Sequence, residues 1–499
     1  MDLQRIITFT SLALMIHLLL YSCKKEKIEE TALVKIGDNT ISVKDFKYRA
    51  EFTIRPNRFY DKNVVLNNLI AEKLFAAELP EDNELINGED YQGFIKGIKE
   101  QAMREELYYH MAFNKAILDS TEILKNYRMS GYEYTVQFYR INKESVADTI
   151  TKRLQTRNPD DVFSELEEHL DMKPIHNIKW DDPDADIIHD ALFSERIKPE
   201  TIIGPLKLNK NDYLIMKVMD WKYTPTIGRE DSQLKWKKIE ENLKQKKANK
   251  LWKNYIKALM KGKRIDFNKD VFHKLSDLFY DIYTTQAKKQ ALTLQKEIVE
   301  TDTNIISLKM MSNDESFLQQ RFFTIDNNDY TVEDFKKLNR SHPLVYRNKY
   351  LNKNDFKKQF RLAIADLMRD HYLNQEAYKE SLDNHYKVRK KVTTWEDAIK
   401  ARYHIHEYMQ SVKKRSDFNE SLMKGDINYI SIYADSLYNK YKKSISINIE
   451  ELNKIHLTKV PLVAMQSRVP YPIAFPNFPT YTVKSTIDHF KVMEKAKSE

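Results

Sequence analysis

A single cysteine, Cys23, in a chain of 499 residues rules out any internal disulfide, so whatever this chain folds into is held by packing alone. It must also fold with only nine glycines, too few to supply the tight hairpin turns of an all-β protein or the phosphate-cradling loops of nucleotide enzymes. Hydrophobic residues make up 41% of the chain, enough to build cores, while the 31% that are charged lace the surface. A chain this long outgrows one hydrophobic core, so about three or more domains are expected. The fold class expected from these bounds is α+β, mostly helical.

Cys23 closes a distinctive stretch. Arg5 gives a small basic start, Ile6 to Tyr21 is an apolar-biased run of signal-peptide length, and Leu20-Tyr21-Ser22-Cys23 sets a small residue just before the cysteine. This resembles a bacterial lipobox, which implies cleavage before Cys23 and lipidation of that thiol. The expectation is a signal peptide over residues 1–22, a tether over 23–31, and a membrane lipoprotein facing the periplasm, in the outer membrane first of all. An uncleaved anchor with an incidental cysteine is the alternative reading of the same run. Export removes the chain from ATP and from nucleic acid. The net charge of +9 is unchanged by removal of the signal, since Asp2 and Arg5 leave together. It favours either anionic lipid and acidic unfolded chains or simply an evenly solvated lysine surface.

After the tether, Ala32-Leu33-Val34-Lys35-Ile36 alternates as a strand, Gly37-Asp38-Asn39 turns, and Thr40-Ile41 returns. Ser42 then caps a helix opening Val43-Lys44-Asp45-Phe46. Further on, Leu66, Leu69, Ile70, Lys73 and Leu74 fall on one side of a second helix, and the helical pattern continues over residues 91–128. This order of strand, turn, capped helix with Asp-Phe and a Leu-Ile-x-Glu-Lys-Leu helix resembles the N-terminal region of SurA/PrsA-type periplasmic chaperones. Such proteins pair a helical chaperone domain with parvulin-type prolyl isomerase domains, so residues 32–130 are expected to form an N-terminal chaperone-type domain.

Residues 131–225 change to mixed α and β: a strand over 134–141, helices over 144–154 and 160–170, a short strand over 177–180, a helix over 186–193 and a hairpin over 204–218. The order resembles a parvulin domain, most closely in Ala191-Leu192-Phe193, Gly204-Pro205 and the last strand. Parvulins carry one histidine on the first strand and one on the last, in a shared network beneath the prolyl pocket. Here the first falls at Gln137 or Phe138 and the second at Leu214, and the glycines expected around Trp180 are missing. The resemblance therefore implies a degenerate pocket of Gln137, Phe138, Trp180, Phe193 and Leu214, suited to binding. Isomerisation needs only a pocket that favours the twisted amide, so an active peptidyl-prolyl cis-trans isomerase stays as the enzymatic alternative.

In the helix spanning Gln233 to Lys263, Trp236, Ile239, Leu243, Leu251, Tyr255 and Leu259 repeat with helical spacing, and Ile265-Asp266-Phe267 follows. By the same resemblance, residues 226–300 are expected to complete the N-terminal chaperone domain. The opening pattern then recurs: Phe323-Thr324-Ile325-Asp326-Asn327-Asn328-Asp329-Tyr330-Thr331-Val332-Glu333-Asp334-Phe335 parallels residues 34–46. We read a second chaperone-type domain over 320–458, ending in the strand Ser444-Ile445-Ser446-Ile447-Asn448. The tail over 459–499 carries Pro461, Pro470, Pro472, Pro476 and Pro479 among aromatics, so it forms neither a helix nor a central strand.

No nucleotide fingerprint, serine elbow or zinc motif occurs. His404 and His406 lie two apart on a helix and make a poor metal pair, and Asp182, Asp184 and Asp186 lack the glycine and glutamate of a calcium loop. No cofactor and no metal are expected. The partners implied are unfolded exported or outer-membrane proteins, with the membrane reached through the lipid and nucleic acid excluded. A structural lipoprotein subunit of an outer-membrane assembly is the non-enzymatic alternative.

Overall fold

The computed structural model describes residues 31–52, 61–168, 175–182, 186–294, 315–347, 351–415, 427–457, 475–487 and 491–492. Cys23 and its apolar run lie outside them, and among the described residues no helix is long and apolar enough to cross a membrane. The fold is α+β and mostly helical, with three small sheets. Two compact units divide the chain, one gathering residues 1–104 with most of 263–499, the other holding 105–262.

The first unit opens with β1 (Ala32–Ile36), β2 (Asn39–Ser42), α1 (Val43–Phe52), α2 (Lys62–Glu78) and α3 (Glu89–Tyr108), whose end belongs to the second unit. The second unit continues with α4 (Ser120–Met129), β3 (Tyr132–Ile141), α5 (Glu144–Thr156), α6 (Pro159–Glu168), β4 (Ile175–Lys179), α7 (Asp186–Phe193), β5 (Ile202–Asn209), β6 (Asp212–Tyr223) and α8 (Arg229–Leu259). The first unit resumes with β7 (Asp266–Phe267), α9 (Lys269–Leu294), β8 (Arg321–Ile325), β9 (Asn328–Thr331), α10 (Val332–Ser341) and α11 (Lys353–Lys379). It ends with α12 (Tyr386–Lys413), α13 (Ile427–Tyr441), β10 (Ile445–Ile447), α14 (Ile449–Lys454) and β11 (Lys491–Val492). The helical pattern of residues 91–128 breaks at 114–119, where Asp119 accepts from Thr121 N and starts α4 afresh.

The two hairpins whose sequences recur match bond by bond. In β1–β2, Ile36 lies opposite Asn39 and Val34 opposite Ile41, with a bulge before Ala32 and Ser42. In β8–β9, Ile325 lies opposite Asn328 and Phe323 opposite Tyr330, with a bulge before Arg321 and Thr331. Gly37 takes the first turn at φ 55°, and Asp326 with Asn327 take the second at 51° and 61°, residue types that tolerate the left-handed region. Both helices begin in a capping box. Ser42 Oγ accepts from Asp45 N at 3.1 Å while Asp45 Oδ2 accepts from Ser42 N at 3.2 Å. Thr331 Oγ1 and Asp334 do the same at 3.1 and 2.9 Å.

Each hairpin is closed by a third strand from elsewhere in the chain. β10 pairs antiparallel with β1, Val34 opposite Ile447 and Ile36 opposite Ile445. β7 pairs antiparallel with β8, Phe323 opposite Phe267. The residue after each closing strand is an asparagine making the same two kinds of contact. Asn448 N donates to Leu33 O and Asn268 N to Phe322 O, both at 2.8 Å, and each side chain caps the helix that follows. So the strand that follows the first repeat closes the second, and the strand that follows the second closes the first. This departs from the expectation that Ile265-Asp266-Phe267 would return to residues 32–130. The two closing segments, Ile265-Asp266-Phe267-Asn268 and Ile445-Ser446-Ile447-Asn448, carry the same local signal, so either hairpin could have taken either strand.

The helix before β7 is also placed differently. Ile239 and Leu243 of α8 are buried against Ile123 and Met129 of α4 and against Val136, Met216 and Val218 of the second unit's sheet. Trp252 packs edge-on to Tyr108 with ring centres 5.6 Å apart. Thus α8 meets the 105–129 part of the N-terminal region and not its hairpin, because its apolar face is complementary to the mixed α/β layer. In the first unit α2 is the central element, with Val64, Val65, Leu66, Leu69, Ile70 and Leu74 all buried. Its core is shared with Ala401 and Ile405 of α12, Leu437 and Tyr438 of α13, and Ile445 and Ile447 of β10.

Candidate functional site

The second unit's sheet runs β4-β3-β6-β5, and every neighbouring pair is antiparallel. Alternation divides its residues between two cores. Tyr134, Val136, Ile178, Leu214, Met216 and Val218 face α4, α7 and α8, while Tyr139, Ile141, Tyr213 and Ile215 face α5 and α6.

Four of the five residues read from the sequence as a pocket meet on the first of these faces. Trp180, Phe193 and Leu214 are buried in it, and Phe138 packs against it half-buried, opposite Met216 and 6.4 Å edge-on from the His176 ring. Gln137 does not join them. One step along β3, it points to the other face, where its buried amide donates to the Tyr139 hydroxyl at 2.6 Å. Trp180 and Phe193 are bridged by a residue the sequence reading passed over, His189, whose ring lies 5.2 Å from one and 5.1 Å from the other. Its signal was positional, since on α7 it stands four residues before Phe193.

Beyond the bulge in β6 this face runs out into half-exposed aromatics. Tyr132 lies 5.2 Å from Trp221 and 4.9 Å from Tyr223, and the Arg196 guanidinium sits over Trp221 at 5.9 Å. Gly131 lets the Tyr223 ring lie close, since a Cβ would stand 2.5 Å from it and the ring would have to shift. The alternation of Trp221 and Tyr223 after Asp220 was the available signal. Such a face can hold apolar and aromatic side chains by burial and ring contact.

The first unit contains a cavity of about 330 Å³ between the β1–β2 hairpin, α2 and α12. Its cations are matched one by one with carboxylates. Arg49 and Glu72 make two 2.9 Å bonds, Lys73 and Asp397 one of 2.7 Å, and Lys390 and Asp45 one of 2.8 Å. That pairing leaves each cation lining the cavity matched by a carboxylate. His404 bonds the Tyr433 hydroxyl at 2.9 Å while His406 is exposed, so the two diverge. Asp182 accepts from Lys179 N and Asp186 lies in the first turn of α7; Asp184 is outside the described residues.

No family model matches the chain, and no curated protein matches it. Among solved structures it is similar to the foldase protein PrsA from Lactococcus lactis, at 13% identity and a TM-score of 0.19, over 46% of this chain and 93% of that one. It is similar also to the foldase protein PrsA from Streptococcus pneumoniae, at 15% identity and a TM-score of 0.19, over 45% of this chain and 94% of that one.

A second ionic cluster in the first unit sets a pH dependence. Burial raises the Asp370 carboxyl, but the His342 hydrogen bond at 2.9 Å and the charges of Arg104 and Arg369 outweigh it and hold the group at about 2. A carboxyl depressed on folding gives stability that is present above its unfolded value and lost as pH falls through the folded one. Urea unfolding of the intact chain should therefore lose stability between about pH 4 and pH 2, and Asp370→Asn should be less stable at neutral pH with a flatter profile over that window. An unchanged profile in the variant would remove Asp370 from the account.

Proposed function

We propose that this chain is a lipid-anchored chaperone that holds unfolded exported proteins, outer-membrane proteins among them, in the periplasm without ATP. The observation that carries the reading is the second unit's face. Phe138 and Leu214 occupy adjoining strands where the resemblance to parvulins calls for histidines, and they share one apolar core with Trp180 and Phe193. A binding face with its proton-relaying groups replaced by hydrocarbon favours holding over isomerisation. The exposed aromatic extension through Tyr132, Trp221 and Tyr223 adds contact area for unfolded chains. Clients held this way leave when their own folding offers a deeper free-energy well.

Purified chain should suppress aggregation of an unfolded barrel protein at stoichiometric amounts, and the effect should persist in salt that screens exposed charges beyond about 8–10 Å. Catalytic amounts should leave proline-limited refolding of a model protein at its uncatalysed rate. Acceleration of that refolding would make the domain an isomerase, and steep loss of suppression with salt would assign the affinity to the net charge of +9 instead.

The anchor rests on the apolar run ending at Cys23, the only acceptor thiol in the sequence. Metabolic labelling with a fatty-acid analogue should mark the wild-type chain and leave Cys23→Ala unmarked. Equal labelling of the two would sink the lipoprotein reading.

A further inference from the structure

Residues 475–487 run without helix or strand along α1, α2 and α13 of the first unit. What holds them is mostly main-chain recognition by side chains. Asn68 Oδ1 accepts from the backbone N–H groups of Tyr481 at 2.6 Å and Thr482 at 3.0 Å, and its Nδ2 donates to Thr482 O at 2.8 Å. Asn67 Nδ2 donates to Lys484 O at 2.8 Å and Thr486 O at 3.1 Å. Arg49, gripped by Glu72, donates to Asn477 O at 3.3 Å. Asn68 thus does for residue 482 what a neighbouring strand does in a sheet, offering both an acceptor and a donor.

Two asparagines side by side on the central buried helix are a costly choice for packing alone, since a buried amide must find partners. Asn67 and Asn68 are 1% and 0% exposed, among Val64, Val65, Leu66 and Leu69. Apart from the bond Asn68 Nδ2 donates to Val64 O of its own helix at 2.8 Å, their partners come from an extended peptide. The fit is incomplete: Asn67 Oδ1 is buried with no hydrogen-bond partner among the described residues. The apolar anchors are equally generic. Phe475 stacks on Tyr48 at 5.2 Å, Tyr481 meets the Phe75 edge at 5.1 Å, and Pro476 and Pro479 are buried.

We propose that this groove over α2 is a binding site for extended, proline- and aromatic-bearing segments of unfolded polypeptide, and that the protein's own tail is its resident occupant. The proposal rests on the chaperone reading and gives it a site. Backbone recognition through Asn67 and Asn68 accepts many sequences, while the ring and proline contacts select segments of the tail's composition. Because the tail is tethered, it competes at high effective concentration, so only a client offering several such contacts displaces it.

The test uses the full chain and a fluorescent synthetic peptide of residues 475–487, followed by anisotropy. A variant with Tyr481→Ala and Thr482→Pro loosens the tail, removing one ring contact and one N–H donor. It should bind the probe about tenfold or more tighter than the unmodified chain, and adding Asn68→Leu should abolish that gain. A loosened chain that is folded by circular dichroism but binds the probe no better would make the tail a fixed strut and overturn the proposal. Failure of the loosened chain to fold would overturn it too, because a resident occupant must be dispensable to the fold. Probe binding without aggregation suppression would keep the groove and discard the chaperone reading; suppression without probe binding would do the reverse.

Discussion

Two short strands joined by a tight turn do not hold together in water, and the first unit depends on how that shortfall is met. β1 gains its third strand from β10, and β8 gains its third from β7. The first hairpin is therefore completed only by residues more than 400 positions further on, and the central helix α2 by α12 and α13. Such non-local closure makes folding slow and leaves an open strand edge on the early part of the chain until its end arrives. It also ties the two repeats together, since neither hairpin can be closed without a segment that lies beyond the other repeat or before it.

Against that closed core the second unit has a different task. Its sheet is sandwiched by helices on both faces, and α8 supplies part of one core, so the unit is complete within residues 105–262. The first face ends in aromatics that are only partly covered. Around its cavity the first unit matches each cation with a carboxylate, Arg49 with Glu72 above all, and breaking such a buried pair costs more than forming it gains. Glu72 also holds Arg49 where it meets the tail, so one ion pair both secures the core and shapes the groove.

Much of the local structure was legible in the sequence. The strand-turn-strand patterns, Ser42 and Thr331 as caps and the elements of residues 132–223 follow from alternation, turn chemistry and helical spacing. What was not legible is which closing strand serves which hairpin, because Ile445 to Asn448 and Ile265 to Asn268 read alike and local patterning carries no address. The choice between Gln137 and Phe138 stayed open for a related reason. A strand fixes that neighbours face opposite ways, but which face meets α4, α7 and α8 is set by the packing of helices on the sheet. On α2 the spacing of Leu66, Leu69, Ile70 and Leu74 read as one apolar side with Lys73 beside it, whereas the helix is buried nearly all round. Asn67 and Asn68 were passed over because polar residues on a helix are usually solvated, and only the packed tail shows why they lie inside.

Exchange of the closing strands is the claim on which the rest stands, and disulfide trapping tests it most directly. In a Cys23→Ser background, Lys35→Cys with Ser446→Cys places two thiols on directly opposite residues of β1 and β10, within reach of a bond. Lys35→Cys with Asp266→Cys tests the arrangement in which the first repeat is closed by the strand that follows it. Mild oxidation of the folded chain should cross-link the first pair nearly completely and leave the second as free thiols. Cross-linking of the second pair instead of the first would mean that each repeat closes on its own strand.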